Sequence, residues 1–361
     1  MRATPLLSPH REPGFVKAAV LTPELEFRIE ERPRPEPDPD EVLVRVGAVG
    51  VCGSDVHYWQ HGRIGDYVVE DDLVLGHEAA GEVVACGEAV DSLETGDRVA
   101  LEPGVPCGRC RFCRTGVYNR CPDVTFMATP PDDGALCEFV AWPADFAYRL
   151  PESVSTVAGA LCEPLSVGIH ACRRGDVGLG DSVLVTGAGP IGDATLTAAR
   201  AAGATDVTVT DVVDAKLARA TERGASRTLR GDAVDVPAAV RTGVGEGHDP
   251  AAGVDVAIEA SGTERGLEDA LASVRRGGTV VLVGLPPERE AGVDIHRLID
   301  GELDVHGSFR YRDTYPAAVD LLGTGRADLA ATVDAEFDLA GVREAFERAT
   351  DPETVKVVVR P

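Results

Sequence analysis

Two groups of residues in this 361-residue chain carry enough chemistry in their types and spacing to suggest a function. The first is Cys107-x2-Cys110-x2-Cys113-x7-Cys121, four thiols within 15 residues. Four thiolates at such spacing close a tetrahedral zinc site. The first three spacings and Cys121-Pro122 faintly echo a ferredoxin run, but the seven-residue gap before the last cysteine disfavours an iron–sulfur cluster. With sulfur in all four positions, no position is open to a substrate, so the expected role is structural. The second group is scattered: Cys52, the pair His77-Glu78, and Glu163. Taken singly, a cysteine is usually core and a His-Glu pair is usually surface. Together, one thiolate, one imidazole and a carboxylate form a metal site with an open position for water or an alcohol oxygen.

A third stretch suggests a nucleotide. Ser182–Thr186 is a short apolar strand pattern, followed by the glycine series Gly187, Gly189, Gly192, with Pro190 and Ile191 between the last two. An Ala-rich helical pattern and a second strand, Val207–Thr210, follow, and the strand ends at Asp211, 19 residues past Gly192. This is the order of a dinucleotide-binding βαβ unit. Gly187 permits the tight turn, Gly189 lets backbone approach a pyrophosphate, and Gly192 lets the helix pack close to the sheet. Free N–H groups at the helix start face the phosphates. Asp211 can accept both ribose hydroxyls and would repel a 2′-phosphate, which favours NAD over NADP. Lys216 opposes this slightly, since a cation there could steady a phosphate.

The elements that must position these groups divide the chain. Residues up to about 160 read as mostly strands and irregular loops. The proline-alternating segment Arg32–Pro39 reads as an extended connector without a ladder, and Gly76–Gly81 as a tight loop carrying His77-Glu78. Beyond about 165, strand runs (182–186, 207–210, 254–258, 279–284) alternate with helical ones (190–203, 214–224, 264–275), implying a parallel sheet with helices on both faces. A helical stretch near 340–349 and the run Val355–Val359 suggest a return to the first unit. The expected division is a flexible extension 1–14, a catalytic unit 15–165 with the cysteine lobe at 107–121, a nucleotide unit 166–309, and a returning segment 310–361.

Composition narrows the class. The net charge is −25, from 60 acidic and 35 basic residues, which argues against nucleic acid. Lysine occurs only at Lys17, Lys216 and Lys356. Such a surface repels itself in dilute buffer, but at molar salt the Debye length is about 3 Å. A high-salt cytoplasm, as in halophilic archaea, is the expectation. No run of 18 apolar residues is present, and the first 14 residues lack a signal-peptide core, so neither a membrane span nor export is expected. Nine cysteines, an odd number, disfavour a disulfide framework.

The chain resembles the zinc-dependent medium-chain dehydrogenases, and most of all their sorbitol/xylitol (polyol) members. The resemblance runs from about residue 15 to the end. It rests on Cys52-Gly-Ser-Asp-Val-His57, Gly76-His-Glu-Ala-Ala-Gly81, the cysteine lobe, Ala128-Thr-Pro-Pro-Asp-Asp-Gly134, Glu163-Pro-Leu-Ser-Val-Gly168 and Phe309-Arg-Tyr311. It implies a GroES-like, mostly-β catalytic domain and a Rossmann domain, an α/β fold overall. It also implies two zinc ions per chain and NAD. Cys52, His77 and Glu78 would bind the catalytic zinc, and Glu163 would hold its water or substrate or ligate directly. Cys162 is left in the core, since neighbours in an extended segment point opposite ways. Ser54 and His57 would relay a proton. Tyr58, Phe126, Thr129, Arg310 and Tyr311 would line the polyol pocket, and Val283, Gly284 and Leu285 would touch the cofactor. A surface ion pair is the alternative for Arg310. Asp193, where the family usually has an apolar residue, has no evident reason beyond an acidified surface or a tolerable place at a helix start.

The implied reaction is oxidation of a polyol to a ketose by a homo-oligomer, tetramer or dimer. Glucose, threonine or butanediol are alternative substrates. A non-catalytic NAD-binding protein on the same scaffold is the alternative from another class.

Overall fold

The computed structural model describes residues 14–243, 252–286 and 290–361. Nearly all of the expected extension 1–14 lies outside the described residues. Two sheets organise the chain. The seven-stranded sheet runs Ala147–Arg149, Arg98–Leu101, Glu78–Cys86, Glu41–Gly50, Lys356–Arg360, Val333–Asp338, with Phe139–Pro143 also paired to Glu41–Gly50. The six-stranded sheet runs Arg227–Arg230, Asp206–Asp211, Ser182–Thr186, Val254–Glu259, Val274–Leu282, Asp304–Gly307, parallel throughout. This strand order is that of the doubly wound dinucleotide fold, with its switch point beside Ser182–Thr186.

The period-2 and apolar runs are explained by burial. Every residue of Ser182–Thr186 is buried, as a central parallel strand covered on both faces requires. In Glu41–Gly50, the strand with the most neighbours in the first sheet, Val42, Val44, Val46 and Val49 are buried and Arg45 is exposed. The C-terminal strand Lys356–Arg360 pairs antiparallel with Glu41–Gly50, Val358 opposite Gly50. The end of the chain thus completes the sheet begun by the N-terminal part. The nucleotide sheet lies between these two contributions in sequence.

Several local expectations are corrected. Arg32 and Pro33 belong to a ladder after all, opposite Val16 and Phe15. They close the edge strand Phe27–Pro33, where a proline at the end is tolerated. The Gly76–Gly81 stretch is not one loop. Gly76 turns at φ +89°, but Glu78 already starts the strand Glu78–Cys86. Gly81 lies inside that strand, where a Cβ would sit 2.1 Å from the Arg45 carbonyl oxygen. The division expected at 165/166 passes through the helix Cys162–Arg174. This helix packs against Pro190–Ala202, and Gly168 allows the approach, because a Cβ there would meet the Ala194 backbone at 2.6 Å. Cys162 is fully buried as expected, although it begins a helix and not an extended segment.

Candidate active site

The metal-site residues are brought together from three parts of the first unit. Cys52 is the extended residue before the helix Gly53–His61. Asp55, in the first turn of that helix, accepts the Cys52 N–H at 3.1 Å with one carboxylate oxygen. Its other oxygen accepts the Gly76 N–H at 3.2 Å and lies 3.3 Å from His77 Nδ1. One buried carboxylate therefore ties the cysteine turn to the glycine turn and holds the imidazole by Nδ1, leaving Nε2 for a metal. The donor atoms of Cys52, His77 and Glu78 all lie within 4.8 Å of one another. A thiolate, an imidazole and a carboxylate at this spacing suit zinc. Glu163 stands outside that mutual set. Its buried carboxyl instead neighbours the buried Tyr311.

Glu78 is held from its other side. Lys356 Nζ lies 2.8 Å from both Glu78 oxygens and 3.0 Å from the Val51 carbonyl. Both side chains are essentially fully buried. Glu78 stands opposite Gly50, and a Cβ at Gly50 would lie 2.0 Å from a Glu78 oxygen. The lysine comes from the strand on the far side of Glu41–Gly50, so Gly50 keeps the path open for this pair. Neither Asp55 nor Lys356 was singled out in the sequence. Asp55 could have been found as an acid three residues after a helix-starting Cys52. Lys356 lies 278 residues from its partner and gives no local signal.

The buried Glu163 carboxyl is pushed up to about 7, first by burial and further by Glu78, while His77, Tyr311 and Lys356 oppose the rise. The residues expected to line a pocket make their own contacts. Phe126 lies 5.8 Å from the His77 ring, and the Arg310 guanidinium lies 4.0 Å above the Phe126 ring. Arg310 thus takes an aromatic face, and the alternative of a surface ion pair finds no support among the described contacts. Tyr58 is buried, and burial pushes its hydroxyl up to about 12, with Thr129 opposing the rise. Ser54 and His57 stand three apart on the helix Gly53–His61 and so share a face. The His57 ring lies 4.5 Å from that of His61, and burial and this neighbour lower its pKa.

The four lobe sulfurs also lie within 4.8 Å of one another. Cys110 and Cys113 sulfurs are 3.3 Å apart, and backbone N–H groups of Cys107 and Cys113 point at the sulfurs of Cys121 and Cys110. All nine cysteines are free. The donor set is that of a closed structural zinc site.

The glycine turn has the expected form, with one difference. Gly187 has φ +94°, and a Cβ on Gly189 would meet open space. Gly192, however, is required by the turn itself: a Cβ there would lie 1.9 Å from the Gly187 carbonyl oxygen. Pro190 and Ile191 open the helix Pro190–Ala202. Asp211 accepts the Ala188 N–H at 2.7 Å, and its other oxygen accepts those of Val212 and Val213. Its carboxylate is thereby fixed beside the turn. Lys216 borders the same recess as Ala188 and Gly192. Val283 and Gly284 follow the strand Val274–Leu282 and donate to the Glu259 carbonyl, and Leu285 beyond them is 80% exposed. Glu259, missed in the sequence, accepts from Ser261 and Gly262 and shapes that loop.

Asp193 gains a reason here. It is a buried side chain paired with Arg223 at 2.5 Å, not part of the acidic surface. Arg223 also donates to Thr197 and to the Asp328 carbonyl.

Comparison with known proteins shows the family. The alcohol dehydrogenase GroES-like domain matches residues 38–152, and the zinc-binding dehydrogenase family matches residues 190–324. The chain belongs to the zinc-binding medium-chain alcohol dehydrogenases, whose cofactors are zinc and a nicotinamide dinucleotide. Within that family it falls in the sorbitol dehydrogenase subfamily. It is 44% identical to the sorbitol dehydrogenase of Bacillus subtilis (strain 168), over 98% of this chain and 99% of that protein. Among solved structures, an Escherichia coli oxidoreductase of unknown specificity superposes with a TM-score of 0.90 at 36% identity, covering 96% of this chain and 99% of that one. A protein described as a zinc-binding dehydrogenase from Sinorhizobium meliloti 1021, bound to NADP, does so at 0.89 and 32% identity, covering 97% and 100%.

Proposed function

We propose that this protein oxidises a polyol such as sorbitol or xylitol to a ketose, with NAD as acceptor. The observation that carries the proposal is the grouping of Glu163, Tyr311 and Arg310 beside the Cys52–His77–Glu78 donor set. Zinc held by those three donors would supply Lewis acidity toward a substrate hydroxyl, and a nicotinamide at the glycine turn would supply a hydride acceptor.

The chain's own residues do the rest. Glu163, with a carboxyl near neutrality, orients the reacting hydroxyl and takes or returns its proton. Ser54 and His57, on one helix face, carry that proton toward solvent. Arg310, Tyr58 and Thr129 offer hydrogen bonds to the further hydroxyls of a polyol, and Phe126 supplies an apolar wall. Asp211 receives the ribose and disfavours a 2′-phosphate, and Lys216 stands nearby without displacing it.

An assembly of identical subunits fits the described surface. The strand Asp304–Gly307 is the edge of the parallel sheet, with Val305 41% exposed and Ile299 nearby in the preceding helix 67% exposed. Such an edge is normally covered. A cytoplasmic location suits the free thiols, and among the described residues no helix is long and apolar enough to cross a membrane.

The test is a panel of sorbitol, xylitol, arabinitol, glucose, threonine and 2,3-butanediol with NAD and with NADP in molar salt, alongside zinc analysis. Highest kcat/KM for a polyol with NAD, with about two zinc ions per chain, is expected. A preference for threonine, glucose or butanediol would overturn the substrate class. Equal efficiency with NADP would overturn the Asp211 assignment. Zinc near one per chain without turnover would mean a scaffold that kept only its lobe.

A further inference from the structure

The cysteine lobe reaches past its own metal site. Three hydrogen bonds join it to the segment that carries Arg310 and Tyr311. Asn119 Nδ2 donates to the Phe309 carbonyl at 2.9 Å. Arg312 Nη1 donates to the Gly116 carbonyl at 2.8 Å. The Asp313 N–H donates to the Tyr118 hydroxyl at 2.8 Å. Gly116, Tyr118 and Asn119 all lie between Cys113 and Cys121, the last two in the short helical turn Tyr118–Arg120. The closed lobe therefore fixes the atoms that grip the segment.

The segment needs such a grip. Arg310 and Asp313 have φ of +51° and +50°, a region that residues other than glycine hold only when their surroundings impose it. The grip is anchored in turn. The Tyr118 hydroxyl donates to the buried Glu102 at 2.9 Å, and the other Glu102 oxygen accepts from Tyr148. Glu102 follows the strand Arg98–Leu101, so the sheet of the first unit, the lobe and the substrate segment form one continuous connection. Asn119 is 7% exposed and is not a surface contact.

We propose that the lobe sets substrate specificity by clamping residues 309–313, with Tyr118 and Asn119 as positioning residues that place Arg310 over Phe126 and Tyr311 against Glu163. The proposal rests on the reading of Arg310 and Tyr311 as polyol contacts. It assigns the lobe a part in recognition in addition to local stability.

The experiment compares Asn119→Ala and Tyr118→Phe with the parent enzyme and with Arg114→Ala, an exposed lobe residue that makes none of the three hydrogen bonds. Each is measured in molar salt for polyol KM, NAD KM, kcat, zinc content, and amide hydrogen exchange of peptides spanning 305–315. Loss of one such hydrogen bond should raise polyol KM about three- to tenfold. Exchange in 305–315 should quicken, while NAD KM and zinc content hold and Arg114→Ala matches the parent. If polyol KM and exchange stay at parent values in both variants, the clamp is refuted. It is refuted equally if NAD KM rises in step with polyol KM, or if exchange quickens with polyol KM unchanged. If the parent oxidises no polyol, the functional proposal fails and the exchange data alone decide the mechanical link.

Discussion

Lys356 Nζ is 2.8 Å from both carboxylate oxygens of Glu78, in a contact that buries both side chains. One of only three lysines in the chain is thus spent on a metal-site carboxylate. Lys356→Met leaves Glu78 buried without its cation in the metal-free protein, and breaking such a pair costs about 3–5 kcal/mol. A metal ion would replace the missing charge. The variant should therefore melt well below the parent after chelation and recover more of its stability on adding zinc. Equal zinc-induced shifts in parent and variant would refute this.

The Glu163 carboxyl, raised to about 7 chiefly by burial, is mostly protonated below that pH and mostly carboxylate above it. If it takes the substrate proton, kcat/KM should rise with pH through about 7. Glu163→Gln should flatten that limb and reduce turnover by about 10²–10⁴-fold. A profile of unchanged shape in the variant would assign the limb to another group.

Asp193 and Arg223 form the buried pair of the nucleotide unit. Burial, partly offset by Arg223, raises Asp193 from 3.8 to about 6. The stability from its protonated form is complete below about 4 and is lost as pH rises through about 6. At neutral pH the ionised pair has little net worth against apolar replacements. Asp193→Leu alone strands Arg223 and should cost about 3–5 kcal/mol, and Asp193→Leu/Arg223→Met should recover most of it. Denaturant unfolding of the parent, Asp193→Leu, Arg223→Met and the double variant measures this cycle. Additive losses would contradict the pairing.

With 60 acidic and 35 basic residues, the fold works against its own charge in dilute buffer. The melting temperature should climb between dilute buffer and molar sodium chloride. A flat or falling curve would remove the case for a high-salt setting.

Two of the site features legible in the sequence have their partners close along the chain, and the third, Cys52 with His77-Glu78, was read from its residue types. The glycine turn and the four-cysteine spacing are local solutions, in which neighbouring residues must adopt one geometry to bind phosphate or metal. Strand and helix alternation after residue 165 fixed the parallel sheet for the same reason, because burial on both faces leaves continuous apolar runs. The side chains that complete the site were not legible. Lys356 meets Glu78 across 278 residues, and Asn119 meets Phe309 across 190.

The sequence by itself determined which chemistry this protein carries: a dinucleotide cradle, a thiolate–imidazole–carboxylate metal site, and a closed sulfur lobe. Tertiary structure alone decided how those parts are held. It placed Asp55 behind His77 and Lys356 behind Glu78. It set Glu163 against Tyr311 and outside the mutual donor set, and it turned Asp193 inward to Arg223. The reason is physical. A ligand type is a property of one residue, whereas a carboxylate's charge, reach and proton affinity depend on which groups the completed sheets bring against it in a buried, poorly solvated place.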